Sequence, residues 1–194
     1  MRVAFTGRYT RSDILSGPEK VARRMYEKYR LLRDTESAFF EYFFDGSIHG
    51  IREKLAGRTL NETNDVQTLG LLRIPGALKR FSPDVLAVMN YERFVLVPLL
   101  WARYRGIRVL YVSHGLLKQE NKRLRPYLGT FTRFKDSITE RLLFRYSDRI
   151  IFLSKEARHQ AIRQYRPRCE TRIFPNGADA VFFRTEHIPK AAAP

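Results

Sequence analysis

The sequence predicts an α/β fold: a Rossmann-like, doubly wound parallel sheet with helices on both faces. Three observations support this prediction. Short β-type runs alternate with longer runs of helical periodicity, which is the order that βαβ units produce. The run Asp84–Met89 is apolar after its first residue, as a parallel strand buried on both faces should be. Glycine, proline and serine stand at the ends of these runs, where the chain has to turn.

The predicted strands are short segments rich in β-branched and aromatic residues, which favour strands. In chain order they are Arg2–Thr6, Ser37–Phe44, Asp84–Met89, Ile107–Val112, Arg149–Leu153 and Thr171–Phe174. Gly7 ends the first of them. The segment Gly57–Gly70 is compatible with one or two short strands and equally with a loop.

Helices are predicted where apolar residues recur at spacings of three and four. The first covers Gly17–Leu32, and the second runs from about Tyr91 to Tyr104 and ends at Gly106. Ser154 is the predicted N-cap of a helix that reaches Tyr165. The segment Lys118–Arg133 has mixed charges and no clean period, so we expect an irregular loop that contacts a ligand.

Length and composition indicate one domain. The chain has 194 residues, 44% of them hydrophobic, which is enough for a core without metals or disulfides. The domain is expected to cover residues 1–184, with 185–194 as a tail or inter-domain linker. Cys169 is the only cysteine, so an intrachain disulfide is excluded. The apolar stretch Phe94–Ala102 is far shorter than the about 20 residues of a membrane span, so it predicts a buried helix.

The charge is strongly positive, with 36 Lys and Arg against 20 Asp and Glu and a formal net charge of +16. Such an excess favours nucleic acid, anionic lipid headgroups or phosphorylated small molecules as partners. The basic residues are scattered along amphipathic helices and no nucleic-acid-binding module is recognised, so no nucleic-acid partner is expected. Two alternatives to an enzyme stay open: a polyanion-binding α/β domain, and a non-catalytic module that binds a sugar or a partner protein.

Candidate site residues follow from the rule that open parallel sheets bind ligands beyond the carboxyl ends of their strands. Ser16 and Gly17 begin the first helix, whose free N–H groups can bind phosphate. A plain capped helix, with Ser16 and Glu19 as a capping box, is an equally good interpretation. His114 follows a buried strand and precedes Gly115, where it can contact a sugar. The alternative is a structural histidine that bonds a neighbouring backbone group.

Further polar residues follow the predicted strands or lie in the irregular loop; they are Arg8, Tyr9, Asn90, Lys118, Lys122, Asn176 and Gly177. Several familiar motifs are missing from the sequence. It has no G-x-G-x-x-G, no phosphate-binding P-loop and no G-x-S-x-G. No cluster of histidine, cysteine or carboxylate has the spacing of zinc ligands. Dinucleotide binding, P-loop hydrolysis and a metal site are therefore not expected.

In order and spacing, six segments resemble the N-terminal domain of the retaining GT-B glycosyltransferases of family 4. They are Met1–Phe5, Ser16–Ala22, Ser82–Leu86, Val112–Gly115, Ser147–Ser154 and Phe174–Asp179. The resemblance implies two Rossmann-like domains facing a cleft, with the nucleotide sugar held mostly by a C-terminal domain that this chain lacks. It also implies a reaction with retention that needs no metal and no protein nucleophile.

The resemblance assigns roles to the candidate residues. Ser16 and Gly17 would approach the donor phosphates, and His114, as the catalytic residue, would contact the donor sugar. Asn176 and Gly177 would lie on the donor side, near the crossing into the second domain. The remaining candidates would face a glycan or lipid-linked acceptor; these are Arg8, Tyr9, Asn90, Lys118 and Lys122. The expected location is the cytoplasm, peripheral to the inner face of the membrane, and the isolated chain is expected to be inactive.

Overall fold

Eight strands form one sheet in the computed structural model, which describes residues 1–9, 17–42, 58–61, 66–89, 95–116 and 130–175. The strands are β1 (Arg2–Gly7), β2 (Glu36–Tyr42), β3 (Arg58–Asn61), β4 (Val66–Leu69), β5 (Val85–Val88), β6 (Arg108–Ser113), β7 (Arg149–Phe152) and β8 (Glu170–Ile173). Their order is β3-β4-β2-β1-β5-β6-β7-β8. Seven strands run parallel, and only β3, at one edge, is antiparallel to its neighbour. The predicted doubly wound sheet is confirmed, and Gly57–Gly70 contains two short strands.

Five α-helices belong to the described part of the chain, and a short 3-10 helix, Leu71–Arg73, precedes the second of them. The five are α1 (Gly17–Arg30), α2 (Ile74–Phe81), α3 (Leu96–Tyr104), α4 (Thr130–Tyr146) and α5 (Lys155–Tyr165). The first, third and fifth correspond to predicted helices. The sequence interpretation missed α2, and it was wrong to extend the irregular loop to Arg133, because α4 already begins at Thr130.

The helices cover both faces of the sheet, as predicted. Buried residues of α2, α3, α4 and α5 share one core with alternate strand residues; examples are Leu78, Leu99, Phe144 and Ala161. The buried hydrophobic residues of α1, Ala22 and Tyr26, belong to a second core on the opposite face. Right-handed crossovers explain this division. The chain moves from β1 to β2 and β4 in one direction, and then from β4 back past β1 to β5 and on to β8 in the other, so the two sets of helices fall on opposite faces.

Two aspartates join neighbouring strands where those strands begin. Asp84 accepts a hydrogen bond from the Arg2 N–H (2.7 Å), and its own N–H donates to the Arg2 carbonyl (2.9 Å). Asp148 likewise accepts a hydrogen bond from the Val109 N–H (2.7 Å), and its own N–H donates to the Val109 carbonyl (2.9 Å). Its carboxylate also accepts from the Arg103 guanidinium at 2.8 Å. Both lie at the amino edge of the sheet. The Ser-Pro-Asp and Ser-Asp segments that contribute to the family resemblance therefore stabilise the sheet.

The ends of two predicted helices are confirmed in detail. Ser154 is the N-cap of α5, and its hydroxyl oxygen accepts a hydrogen bond from the Ala157 N–H at 3.1 Å. After α3 the chain turns at Gly106, whose φ of 68° lies in the left-handed region that glycine adopts at little cost. These local signals fix where β6 and α5 begin relative to the sheet.

Candidate functional site

The carboxyl edge of the sheet brings together the strand ends that the sequence singled out. β1, β5 and β6 are consecutive neighbours in the sheet, so Arg8 and His114 emerge from the same edge. Gly17 is the first residue of α1. Ser16, Asn90, Lys118, Lys122, Asn176 and Gly177 lie outside the described residues, and their roles stay predictions.

His114 is half-buried directly after β6. Its Nε2 lies 2.8 Å from the Met89 carbonyl oxygen, and because a carbonyl only accepts, Nε2 carries the proton. The Met89 N–H in turn donates to the Thr6 carbonyl at 2.9 Å, so the ring is tied to the ends of β5 and β1. Burial lowers the pKa of the imidazole, and the bond to Met89 partly offsets this. The ring is therefore neutral at pH 7, with Nδ1 as its hydrogen-bond acceptor.

The bond to Met89 is the contact expected of a structural histidine. The same contact fixes the orientation and the tautomer of the ring, which a group that binds a sugar hydroxyl also requires. A second contact shapes the turn that follows, since the Ser113 hydroxyl donates to the Gly115 carbonyl at 3.1 Å. The geometry is compatible with either role, and the catalytic assignment of His114 stays a prediction.

Arg8 follows β1 and pairs with the first turn of α1. Its Nε lies 2.9 Å from a carboxylate oxygen of Glu19, and the Glu19 side chain is only 7% exposed, against 46% for Arg8. A buried carboxylate thus holds a half-exposed guanidinium at the carboxyl edge. The sequence assigned Glu19 to a capping box, and the structure adds this ion pair, which joins the end of β1 to the start of α1.

Tyr9 anchors the chain after β1. Its ring is 4% exposed, and it packs against the rings of Tyr26 and Phe39, with centroids 5.8 and 5.1 Å away. The backbone N–H of Tyr9 donates to Glu41 Oε1 at 2.8 Å. In this structure the ring belongs to the core under α1, and contact with an acceptor stays a prediction.

Glu41 is a site residue that the sequence interpretation missed. It lies half-buried near the carboxyl end of β2 and accepts hydrogen bonds from the Tyr9 N–H and, at 3.3 Å, from the Thr68 hydroxyl of β4. Burial raises its pKa to about 7, against the opposing effects of these hydrogen bonds and of Arg8. The available signal was a charged residue inside an otherwise apolar and aromatic strand, Ala38-Phe39-Phe40-Glu41-Tyr42.

The backbone at the start of α1 is open. A Cβ added to Gly17 would meet no atom of the described residues within 4 Å, so their packing does not exclude a ligand at this point. An open helix N-terminus next to Arg8 is chemically suited to an anion. The donor-phosphate assignment of Gly17 stays a prediction.

Several solved structures share this architecture over about half of their own length. Sucrose-phosphate synthase from Thermosynechococcus elongatus matches with a TM-score of 0.65 and 12% identity over 91% of this chain and 48% of that one. Anabaena HepE in complex with UDP-glucose matches with a TM-score of 0.62 and 16% identity, over 94% of this chain and 46% of that one. A UDP-GlcNAc 2-epimerase from Neisseria meningitidis bound to UDP-GlcNAc matches with a TM-score of 0.55 and 16% identity, over 89% of this chain and 45% of that one. The chain thus spans about half the length of these proteins.

The sequence itself carries a more specific signal than these structural likenesses, which at such low identity show the fold alone. No curated protein matches the sequence. The family model described as glycosyltransferase family 4 matches residues 22–182. That match runs from α1 to beyond β8 and includes most of the elements that form the carboxyl edge. The chain therefore belongs to glycosyltransferase family 4.

Proposed function

We propose that this chain is the N-terminal, acceptor-side domain of an enzyme that transfers a sugar from a nucleotide sugar to a glycan or lipid-linked acceptor with retention. The family match over residues 22–182 carries this proposal. Two solved structures of the same architecture are described with UDP-glucose or UDP-GlcNAc bound, which supports a nucleotide sugar as the donor. The carboxyl edge, with Arg8, His114 and the start of α1, is where such a substrate would meet this half.

The proposed mechanism relies on positioning and electrostatics. The acceptor oxygen bonds to the anomeric carbon from the side on which the bond to the nucleoside diphosphate breaks, and the departing phosphate takes up the acceptor's hydroxyl proton. No protein nucleophile is then required, and no metal is expected. His114, fixed through Nε2, offers Nδ1 to a hydroxyl of the donor sugar. Arg8 and the N–H groups at the start of α1 would stabilise the negative charge that develops on the leaving phosphate or resides on an anionic acceptor.

Activity of the isolated chain is the first test. The donor is expected to bind mainly to a second domain, so the 194-residue chain should show negligible transfer from any nucleotide sugar. Calorimetry should detect at most millimolar donor affinity, about 4 kcal/mol. A longer protein that includes both halves should transfer the sugar. Robust turnover by the isolated chain would contradict the half-enzyme proposal, and epimerised donor without transfer would favour the epimerase chemistry named for one structural relative.

The role of His114 is tested by alanine substitution in the longer protein. His114→Ala should lower turnover by about tenfold or more, with the fold intact, because the side chain lies beyond the end of β6. His159→Ala is the matched control, since His159 is exposed on α5. If His114→Ala mainly lowers the melting temperature and leaves turnover per folded molecule unchanged, the histidine is structural.

We further propose a cytoplasmic protein that docks peripherally on the inner face of the membrane or on an anionic acceptor. The basis is the net charge of +16 and the basic, partly apolar segment that contains Lys118, Lys122, Arg123 and Arg125. Cations near an anionic leaflet contribute about 1 kcal/mol each. Among the described helices, none combines the length and apolarity of a membrane span.

Vesicle sedimentation tests the docking. Binding to anionic vesicles should weaken as salt is raised, and should fall when the four basic residues of that segment are replaced by glutamine. The control variant removes the charges of Arg163 and Arg168, which are exposed on and after α5. Equal sedimentation of the four-residue variant and the parent would show that this segment is not the membrane contact.

The polyanion-binding alternative predicts a different outcome. At least six described arginines form ion pairs with carboxylates, so their guanidinium groups are less available to a polyanion; they are Arg2, Arg8, Arg23, Arg103, Arg149 and Arg172. Tight, salt-sensitive binding of random nucleic acid together with no transferase activity in the longer protein would favour that alternative. Sugar binding without turnover would favour the non-catalytic module.

A further inference from the structure

Glu41 joins three elements at the carboxyl edge of the sheet. It belongs to β2, its Oε1 accepts from the N–H of Tyr9 after β1 at 2.8 Å, and its Oε2 contacts the Thr68 hydroxyl of β4 at 3.3 Å. We call Arg8 and Tyr9 the β1 loop. The Tyr9 ring is buried in the core, and the bond to Glu41 holds the backbone of the same residue. Arg8 is the next residue along.

The Glu41 carboxyl keeps the Tyr9 bond whether or not it is ionised. As a carboxylate it accepts both hydrogen bonds. When Oε2 is protonated it donates to the Thr68 hydroxyl oxygen, which can also accept, while Oε1 still accepts from Tyr9. Protonation therefore leaves the loop in place and changes only the charge beside it.

That charge faces two other ionisable groups among the described residues. Arg8, in the β1 loop, favours the ionised form of Glu41, and Glu19, on α1, disfavours it. Arg8 itself pairs with Glu19 at 2.9 Å. An ionised Glu41 thus adds a second negative charge near the Arg8–Glu19 pair, and a neutral Glu41 does not. A glutamine would make both hydrogen bonds without burying a charge, so holding the loop does not by itself explain a carboxyl group here.

We propose that Glu41 is a positioning residue: its carboxyl group holds the β1 loop against β2 and β4, and its charge sets the electrostatic environment of Arg8 at the carboxyl edge. Glu41 acts through Arg8 and Tyr9 and is not assigned contact with a substrate. The raised pKa of about 7 is consistent with this role, since a change of charge then occurs near neutral pH. Any effect of Glu41 on a substrate, through Arg8, rests on the proposed function, whereas its effect on the β1 loop does not.

Nuclear magnetic resonance on the 194-residue chain, without donor or acceptor, tests the proposal. The Glu41 carboxyl carbon should titrate with a pKa of about 7, and the Arg8 Nε–H signal should shift with the same midpoint. Glu41→Gln should abolish that response of Arg8 while the Tyr9 amide stays protected from hydrogen exchange. Glu41→Ala should accelerate exchange of the Tyr9 amide at least about tenfold, because its acceptor is lost.

Glu36→Gln is the matched control, since Glu36 lies at the other end of β2, is exposed and pairs with Arg2. It should leave the Tyr9 and Arg8 signals unchanged. If Glu41→Ala does not fold, Glu41→Gln still tests the charge. Thr68→Ala removes a hydrogen bond that favours the ionised carboxylate, so it should raise the midpoint of the Glu41 carboxyl. An unchanged Arg8 titration in Glu41→Gln, or an ordinary Glu41 midpoint, would overturn the proposal. If these results hold but the longer protein transfers no sugar, the proposed function fails and the positioning role stands.

Discussion

Removing the Asp148 side chain should destabilise the sheet at its amino edge. Asp148→Ala deletes a hydrogen bond to the part-buried Val109 N–H (2.7 Å) and an ion pair with Arg103 (2.8 Å). A hydrogen bond to a charged group contributes about 1.5–3 kcal/mol, and we use the lower part of that range because Asp148 is partly exposed. The exposed pair adds at most about 1 kcal/mol. We therefore expect a loss of about 2 kcal/mol in the free energy of unfolding.

Urea denaturation monitored by circular dichroism measures this loss, and a melting temperature lower by about 4–8 °C should accompany it. Asp148→Asn keeps an oxygen that can accept from Val109 but loses the charge, so it should cost about half as much. Arg103→Gln removes only the ion pair and should cost less than about 1 kcal/mol. A loss below about 0.5 kcal/mol in Asp148→Ala, or equal losses in the alanine and asparagine variants, would refute the assignment of the effect to the Val109 bond.

Three further predictions concern single residues. Ser154→Ala removes the N-cap bond of α5 and should cost about 1 kcal/mol in urea denaturation, whereas Ser154→Asp should restore most of it. Leu99→Ala, at a fully buried position, should cost about 2–5 kcal/mol, and Leu100→Ala, at an exposed one, much less. Folding raises the pKa of Glu41 to about 7, so its contribution to stability is lost as pH rises through that value. The stability of Glu41→Gln relative to the parent should therefore increase from about pH 5 to about pH 8, and a decrease would contradict the assignment.

The sequence predicts the fold where the apolar pattern and its boundaries agree. β1, β5 and β6 are short apolar runs ended by Gly7, by a polar residue and by Ser113, and all three are observed. α2 was missed because it has only eight residues and includes Pro75 and Gly76, which are typical of loops. α4 was missed because its polar residues obscure the helical period, although Leu143 and Phe144 are fully buried.

The candidate site was predictable in part. The rule that ligands bind at the carboxyl ends of strands directed attention to His114 and Arg8, and the structure places both at that edge. Their partners were not predictable, because the Met89 carbonyl and the Glu19 carboxylate come from other elements of the fold. The same reason applies to Glu41, whose two hydrogen bonds join residues 32 and 27 positions away in the sequence.

The two aspartates stabilise the sheet at its amino edge, whereas the proposed site of chemistry lies at its carboxyl edge. Asp84 and Asp148 bond the starts of β1 and β6, at the opposite end of the strands from His114 and Arg8. Substitutions at the carboxyl edge that are made to alter substrate preference should therefore leave these bonds intact and reduce the stability of the domain only slightly. For directed evolution, libraries that vary the carboxyl edge and retain both aspartates should contain a high fraction of folded variants.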